Sequence, residues 1–279
     1  MEQKKDTIAQ WSESAPYWEK HRAVVREMFG PVSEALIEDA QIGRGQTVLD
    51  VAMGPGEPAL TLADVVGPAG RVVGTDAVAE MVEAARREAV RRGLKNTSFE
   101  TAVGEKLPFA DGTFDAAVSR FGVMFFPSPV GGVREILRVL KPGGRIAMAV
   151  WHFAERNPFF TAVTSVLDKF IPPTPPEPDA PDAFRFAKPG ALLEVFESAG
   201  VKGGSERLLK FSIKAKASPE EFWTLRSELS ESMRSKLARL SEAQLAQLKR
   251  EVVQGIRGYS TGEGVSFPAE VLVVSGEKA

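Results

Sequence analysis

The chain has 279 residues, two histidines, no cysteine and a formal net charge of −2. That length buries a large core, and the composition excludes disulfides, thiolate metal sites, a cysteine nucleophile and a three-histidine zinc site, so no metal is expected. Near-neutral charge argues against nucleic acid as a partner, and the lack of a signal or of a run near the roughly 18 apolar residues of a spanning helix points to a cytoplasmic protein without membrane insertion.

Residues 1–45 read as helical, with Val32, Leu36 and Ile37 on one face of a short helix ending near Gly43. Strand-like and helical patterns then alternate. Residues 46–52 form a strand followed by a Gly/Pro loop, and 59–66 a helix with Pro58 at its start. Residues 71–76 are a second strand, and Val78, Met81, Val82, Ala85 and Ala89 recur at helical spacing up to Gly93, a C-terminal stop. Residues 97–102 and 114–121 are the next strands. Val133, Ile136, Leu137 and Leu140 mark a helix closed by Lys141-Pro142-Gly143-Gly144, and 145–151 is a fifth strand. This rhythm predicts an α/β fold with a parallel sheet covered on both faces.

Beyond residue 152 the pattern changes. A helix is expected over 157–170, a stiff proline-rich connection over 171–181, and a helix from about Pro189 to Gly200. Residues 206–215 alternate like a strand. Residues 218–257 read as a helical pair, the first opened by a capping box at Ser218-Pro219-Glu220-Glu221 and striped from Phe222 to Leu240, the second starting at Ser241-Glu242-Ala243-Gln244 and striped from Leu245 to Ile256. Residues 269–275 close the chain as a strand.

The most informative stretch is Val48 to Ala59. Gly54 and Gly56 let the backbone turn sharply and approach a ligand where a parallel sheet binds one, at the carboxyl end of its first strand. The same Gly54-x-Gly56-x-x-Ala59 spacing also fits a dinucleotide fingerprint. Asp76, ending the second strand, suits the ribose hydroxyls of NAD and of S-adenosylmethionine alike. Asp50 discriminates. A carboxylate before the loop gains nothing beside a pyrophosphate but does beside a sulfonium and ammonium, directly or through water. The competing reading is that Asp50 caps loop N–H groups.

The segments VLDVAMGPGEPAL, VVGTD, GEKLPFADGTFDAAVS and REILRVLKPGGRIAMAVW, in this order, resemble the class I S-adenosylmethionine-dependent methyltransferases. More narrowly, they are similar to the ubiquinone/menaquinone-biosynthesis branch that methylates small molecules. The similarity spans about residues 46–151. It implies a Rossmann-like seven-stranded, mostly parallel sheet with an antiparallel last strand, and helical cap insertions. The core would be 46–151, with an N-terminal cap over 1–45, a cap insertion over 152–200, and a final β-hairpin over 201–279 that holds the helical pair.

For the donor, the resemblance implies Asp50, Ala52, Gly54 and Gly56 at the methionine portion, Asp76 at the ribose, and Ala77 and Met81 near the adenine. Ala52 replaces the commonest glycine. Val103-Gly104 stands where Asp-Ala is usual, which leaves adenine to Gly104 and Glu105. Ser119, Arg120 and Phe121 end the fourth strand, where carbonyls usually meet the ammonium group. Trp11, Tyr17 and Trp18 lie in a segment that covers the donor in similar enzymes.

Methyl transfer from a sulfonium needs alignment and exclusion of water, and a base only when the acceptor must lose a proton. His152, just after the fifth strand, is the candidate base. Trp151, Phe153, Phe159, Phe160, Phe184, Phe186 and Trp223 favour a small apolar or aromatic acceptor, methylated at oxygen or carbon. An NAD-type dehydrogenase and a non-catalytic donor-binding protein are the alternatives. Oligomeric state is left open.

Overall fold

Short apolar segments separated by Gly, Pro and helical stretches cannot bury both faces alone, so they stack as a sheet between helices. The computed structural model describes residues 2–173 and 179–279. The centre of the expected proline-rich connection, 174–178, lies outside the described residues.

The chain opens with two long helices, α1 (Glu2–Lys20) and α2 (Arg22–Asp39). Then come β1 (Thr47–Val51), α3 (Ala59–Val66), β2 (Arg71–Asp76), α4 (Ala79–Arg92), β3 (Thr97–Thr101), β4 (Phe114–Arg120), α5 (Pro129–Val139) and β5 (Leu140–Trp151). The second half adds α6 (Pro158–Leu167), α7 (Ala191–Ala199), β6 (Lys202–Ala215), α8 (Pro219–Leu229), α9 (Glu231–Leu237), α10 (Glu242–Ile256), β7 (Ser260–Thr261) and β8 (Gly264–Glu277). No described helix is long and apolar enough to cross a membrane.

The strands lie in the order β3-β2-β1-β4-β5-β8-β6, with the two-residue β7 paired to β8. The first five are parallel, and β8 runs antiparallel between β5 and β6. This is the expected Rossmann-like sheet with an antiparallel last strand. Strand order reverses between β1 and β4, so the carboxyl ends of β1, β2 and β4 border the cleft where such a sheet takes its ligand. The central strands are mostly apolar because both faces are covered, and Val48, Leu49, Ala116, Ile146 and Met148 are all fully buried.

Several boundaries differ from the expectations. The short N-terminal helix is the second of two long ones. Residues 141–144 do not stop at a turn but run within β5, whose register against β4 shifts between Phe114 and Ala116. The hairpin strands are longer than 206–215 and 269–275, because pairing to each other extends them past their alternating apolar cores. The first member of the helical pair is two helices: the chain breaks at Ser230, whose side chain accepts the N–H of Met233 and starts α9.

Candidate functional site

The turn after β1 is shaped by backbone conformations that glycine favours. Gly54 has φ 59° and Gly56 φ 116°. A Cβ on Gly56 would also stand 2.6 Å from Leu60 Cδ1. Ala52 has φ 59° as well, at the position where the family prefers glycine. Its methyl is accommodated by a residue that lacks one: a Cβ on Gly122 would lie 2.6 Å from Ala52 Cβ and 2.6 Å from Ser119 Oγ.

The tip of β2 holds this loop. Gly54 N–H donates to Asp76 Oδ2 at 2.9 Å, Val78 N–H to Asp76 Oδ1 at 2.9 Å, and Met53 N–H to the Thr75 carbonyl at 3.0 Å. A carboxylate has about four acceptor positions, so Asp76 keeps capacity for a further donor such as a ribose hydroxyl. Burial nevertheless pushes its pKa up to about 6, against the pull of the loop N–H groups. The rim of the cleft, including Ala52, Gly54, Asp76, Ala77, Ala102, Val103, Phe121 and Phe125, is half-buried, unlike the strands behind it.

Asp50 lies fully buried beneath the turn. Its Oδ2 accepts the N–H of Ala59 at 2.7 Å and caps α3, which is the competing capping role. Burial holds its pKa well above the usual carboxylate range, and the nearby Arg120 guanidinium opposes this. Arg120 itself is committed to protein groups: Ser33 Oγ at 2.8 Å and the carbonyls of Glu57 at 3.1 Å and Phe29 at 3.4 Å. Asp50 therefore already has a cation in its surroundings, and it shapes the loop from below. What remains unspent is Asp50 Oδ1 and, on the neighbouring strand β4, Ser119 Oγ: both are buried without a partner. That leftover polar capacity beneath a glycine turn fits the ammonium and carboxylate end of S-adenosylmethionine better than an apolar ligand.

Beyond the tip of β2, Met81 is buried with Val78 and Ala15, and Trp11 packs on this cluster. The Trp11 ring also meets Phe125 edge-on at 5.2 Å, so α1 covers the cleft between β2 and β4. Tyr17 faces elsewhere, its ring 4.6 Å from the Arg234 guanidinium of α9. Gly104 is required by the Phe126 ring, which a Cβ there would meet at 2.5 Å. Glu105 spends one oxygen on the protein: its Oε1 accepts the N–H of Ser128 at 3.0 Å, just before α5.

An aromatic wall continues from the cleft toward the cap. Phe121, with φ 62°, stacks on Trp151 at 4.3 Å, and Trp151 meets Phe160 of α6 at 4.9 Å. His152 does not join this wall. Its Nδ1 donates to the Ala187 carbonyl at 2.8 Å, which requires the proton on Nδ1, and its Nε2 lies 3.8 Å from Glu270. These contacts tie the ring to the segment before α7 and turn it toward β8. Sequence reasoning passed over Gly122, which reads as an ordinary loop glycine. It also passed over Glu57, whose buried carboxylate binds Thr61 Oγ1 at 2.6 Å and Arg92 at 2.9 Å behind the loop. Among the described residues no cluster of His, Asp and Glu is placed to hold a metal ion.

Such a sheet, with a glycine turn clamped by the carboxylate at the end of the second strand and an antiparallel final hairpin, defines the Rossmann-like S-adenosylmethionine-dependent methyltransferases. The sequence pattern of the ubiE/COQ5 methyltransferase family matches residues 34–172. Aklanonic acid methyltransferase DauC of Streptomyces sp. (strain C5) is 34% identical over 62% of this chain and 76% of its own length. Ubiquinone/menaquinone biosynthesis C-methyltransferase UbiE of Pseudomonas paraeruginosa is 40% identical over 39% of this chain and 43% of that protein. The crystal structure of an S-adenosylmethionine-dependent methyltransferase from Aquifex aeolicus superposes with a TM-score of 0.50 at 27% identity, over 66% of this chain and 85% of that one. The chain spans 45% of the length of the mycobacterial relatives that it matches. The chain belongs to the S-adenosylmethionine-dependent methyltransferases, and its residues 34–172 are similar to the ubiE/COQ5 family.

Proposed function

We propose that this chain transfers a methyl group from S-adenosylmethionine to a small, apolar or aromatic molecule, at oxygen or carbon. The observation that carries the reading is the glycine turn clamped to Asp76 at one end of a wall of aromatic rings that starts at Phe121. The donor supplies an electrophilic methyl on a good, neutral leaving group. The chain's own part is to bind and align. Asp76 would accept from the ribose hydroxyls, and Ala52, Gly54 and Gly56 would let the backbone close on the methionyl end. Ser119 Oγ, with Asp50 beneath the loop, would supply polar contacts there. Ala77 and Met81 would flank the adenine, with Gly104 and Glu105 beside it, and Trp11 would keep water out from α1.

The aromatic residues of α6 and α8, with α1 and α2, form the cap in this reading and set a largely apolar acceptor site. The names of the relatives, an aklanonic acid methyltransferase and a quinone-biosynthesis C-methyltransferase, support an acceptor of this kind. A net charge of −2 offers no electrostatic footprint for nucleic acid. A base is required only for an acceptor that must lose a proton.

Calorimetric titration with S-adenosylhomocysteine and with NADH tests the donor. Binding of the first at micromolar levels without the second is expected, and the reverse would overturn the reading. Transfer of isotope-labelled methyl to a panel of phenols, naphthols and acidic-carbon compounds tests the reaction. Donor binding with no turnover on any of them would favour a non-catalytic binding protein.

A further inference from the structure

One side chain in the cap is out of keeping with its surroundings. Arg226 of α8 is only 7% exposed, and among the described residues it forms no hydrogen bond and no ion pair, its Nε being buried without a partner. Its guanidinium lies over two rings of α6, 4.2 Å from the Phe159 centroid and 4.9 Å from that of Phe160. Nothing anionic answers it: burial alone pulls its pKa down to about 10, with no carboxylate raising it. It is still protonated at neutral pH. Other buried charges nearby are paired: Glu57 has Arg92, and Glu88 has three arginines.

A lone buried cation costs several kcal/mol even after ring stacking returns a part of it. A purely structural position would be better filled by Leu or Met, as at Leu225, Leu229 and Met233 around it. The position is also connected to the chemistry. Phe160 touches Arg226 on one side and Trp151 on the other, and Trp151 stacks on Phe121 at the mouth of the donor cleft. The line of ring contacts therefore runs from the guanidinium to the mouth of the cleft.

We propose that Arg226 is the acceptor-recognition residue of this site and that the acceptor is an apolar or aromatic molecule bearing one carboxylate or equivalent anion. The guanidinium fork binds the anion through charge-assisted hydrogen bonds and fixes the acceptor's long axis along the aromatic wall. Arg226 is thus a specificity and positioning residue and takes no part in bond making. The inference rests on the methyl-transfer reading for the meaning of the cleft, but not for the binding of the acid.

The test uses the full chain and two probes of one shape, 2-naphthoate and neutral 2-naphthamide, titrated by calorimetry with and without saturating S-adenosylhomocysteine. The wild type is expected to bind the naphthoate about tenfold or more tighter, the scale of a charge-assisted pair. R226M should bind both probes equally with its naphthamide affinity within about twofold of wild type, and R226K should keep part of the preference. Equal affinities in the wild type, binding of neither probe, or a preference that survives in R226M overturns the inference. If R226M does not melt cooperatively, the wild-type preference and its reduction in R226K decide the matter. A naphthoate preference in a protein that does not bind S-adenosylhomocysteine sinks the donor reading while the acid site stands.

Discussion

Asp76 and Gly54 are joined by a 2.9 Å hydrogen bond from the loop N–H to Oδ2, so the carboxylate assigned to the ligand also builds the turn that receives it. The two duties pull its proton in opposite directions. Burial favours the neutral acid and brings the pKa to about 6, whereas ribose hydroxyls are held better by the ionised form.

Donor affinity should therefore depend on pH in one direction. S-adenosylhomocysteine is expected to bind more tightly as pH rises from about 5 to 7, releasing a proton at the lower end, and to level off above. The stability of the ligand-free protein carries the opposite sign. A carboxyl raised from 3.8 to about 6 stabilises the fold below its unfolded value, and that contribution is lost as pH rises through the folded one. D76N should flatten the binding profile and weaken affinity about tenfold or more. Calorimetry across this pH range checks both; affinity that falls toward neutral pH would contradict the role given to Asp76.

Ala52 and Gly122 form a second coupled pair. An alanine in the left-handed region costs about 1 kcal/mol, so A52G should stabilise the chain by up to about that amount, less glycine's larger entropy in the unfolded state. G122A drives a methyl to 2.6 Å from both Ala52 Cβ and Ser119 Oγ and should cost about 1–3 kcal/mol, with weakened donor binding. In the double variant the Ala52 clash is gone, so the cost should be smaller than the two single effects added. Urea denaturation of the four proteins measures this coupling, and strict additivity would contradict the close approach.

The glycine turn and the sheet were legible because their signals are local. Gly54, Gly56, Asp76 and the apolar strands each announce a backbone state or a sheet position within a few residues. What stayed hidden depends on distant segments. Asp50 carries the right charge in the right motif, but only tertiary structure reveals that Ala59 and Arg120 already surround it. The stripe from Phe222 to Leu240 keeps helical spacing through Ser230, so periodicity could not reveal the break. Arg226 is one of several charged residues on a helix whose neighbours Glu220 and Glu221 are exposed, and nothing in the sequence separates it from them. Lengths of β6 and β8 are likewise set by mutual pairing rather than by their own composition.

Behind the glycine loop, Glu88 anchors α2 to α4. It is 2% exposed and contacts Arg22 at 2.7 Å, Arg91 at 2.6 Å and Arg92 at 2.8 Å. The hydrogen bond from Arg91 is the main reason its pKa falls to about 2. E88A leaves the recessed Arg92 short of a counter-charge and is expected to cost about 3–5 kcal/mol in urea denaturation. R91A removes a 69% exposed partner and should cost less than about 1 kcal/mol. Because the folded pKa is depressed, Glu88's contribution is present above the unfolded value of 4.5 and is lost as pH falls toward about 2. Equal costs for E88A and R91A would show that the buried cluster does not act as a unit.

His152 supplies the last test, because its position after β5 and its chemistry point to opposite roles. With Nδ1–H given to the Ala187 carbonyl and Nε2 turned toward Glu270, it ties the end of β5 to the segment before α7 and to β8. General-base catalysis contributes about 100-fold or more, whereas a lost tether lowers stability and leaves the chemistry largely intact. H152A is therefore expected to melt at a lower temperature but to keep kcat within about tenfold of wild type on any acceptor that is turned over. A fall of 100-fold or more at unchanged melting temperature, with loss of an acidic limb in the pH–rate profile, would return His152 to the role of base.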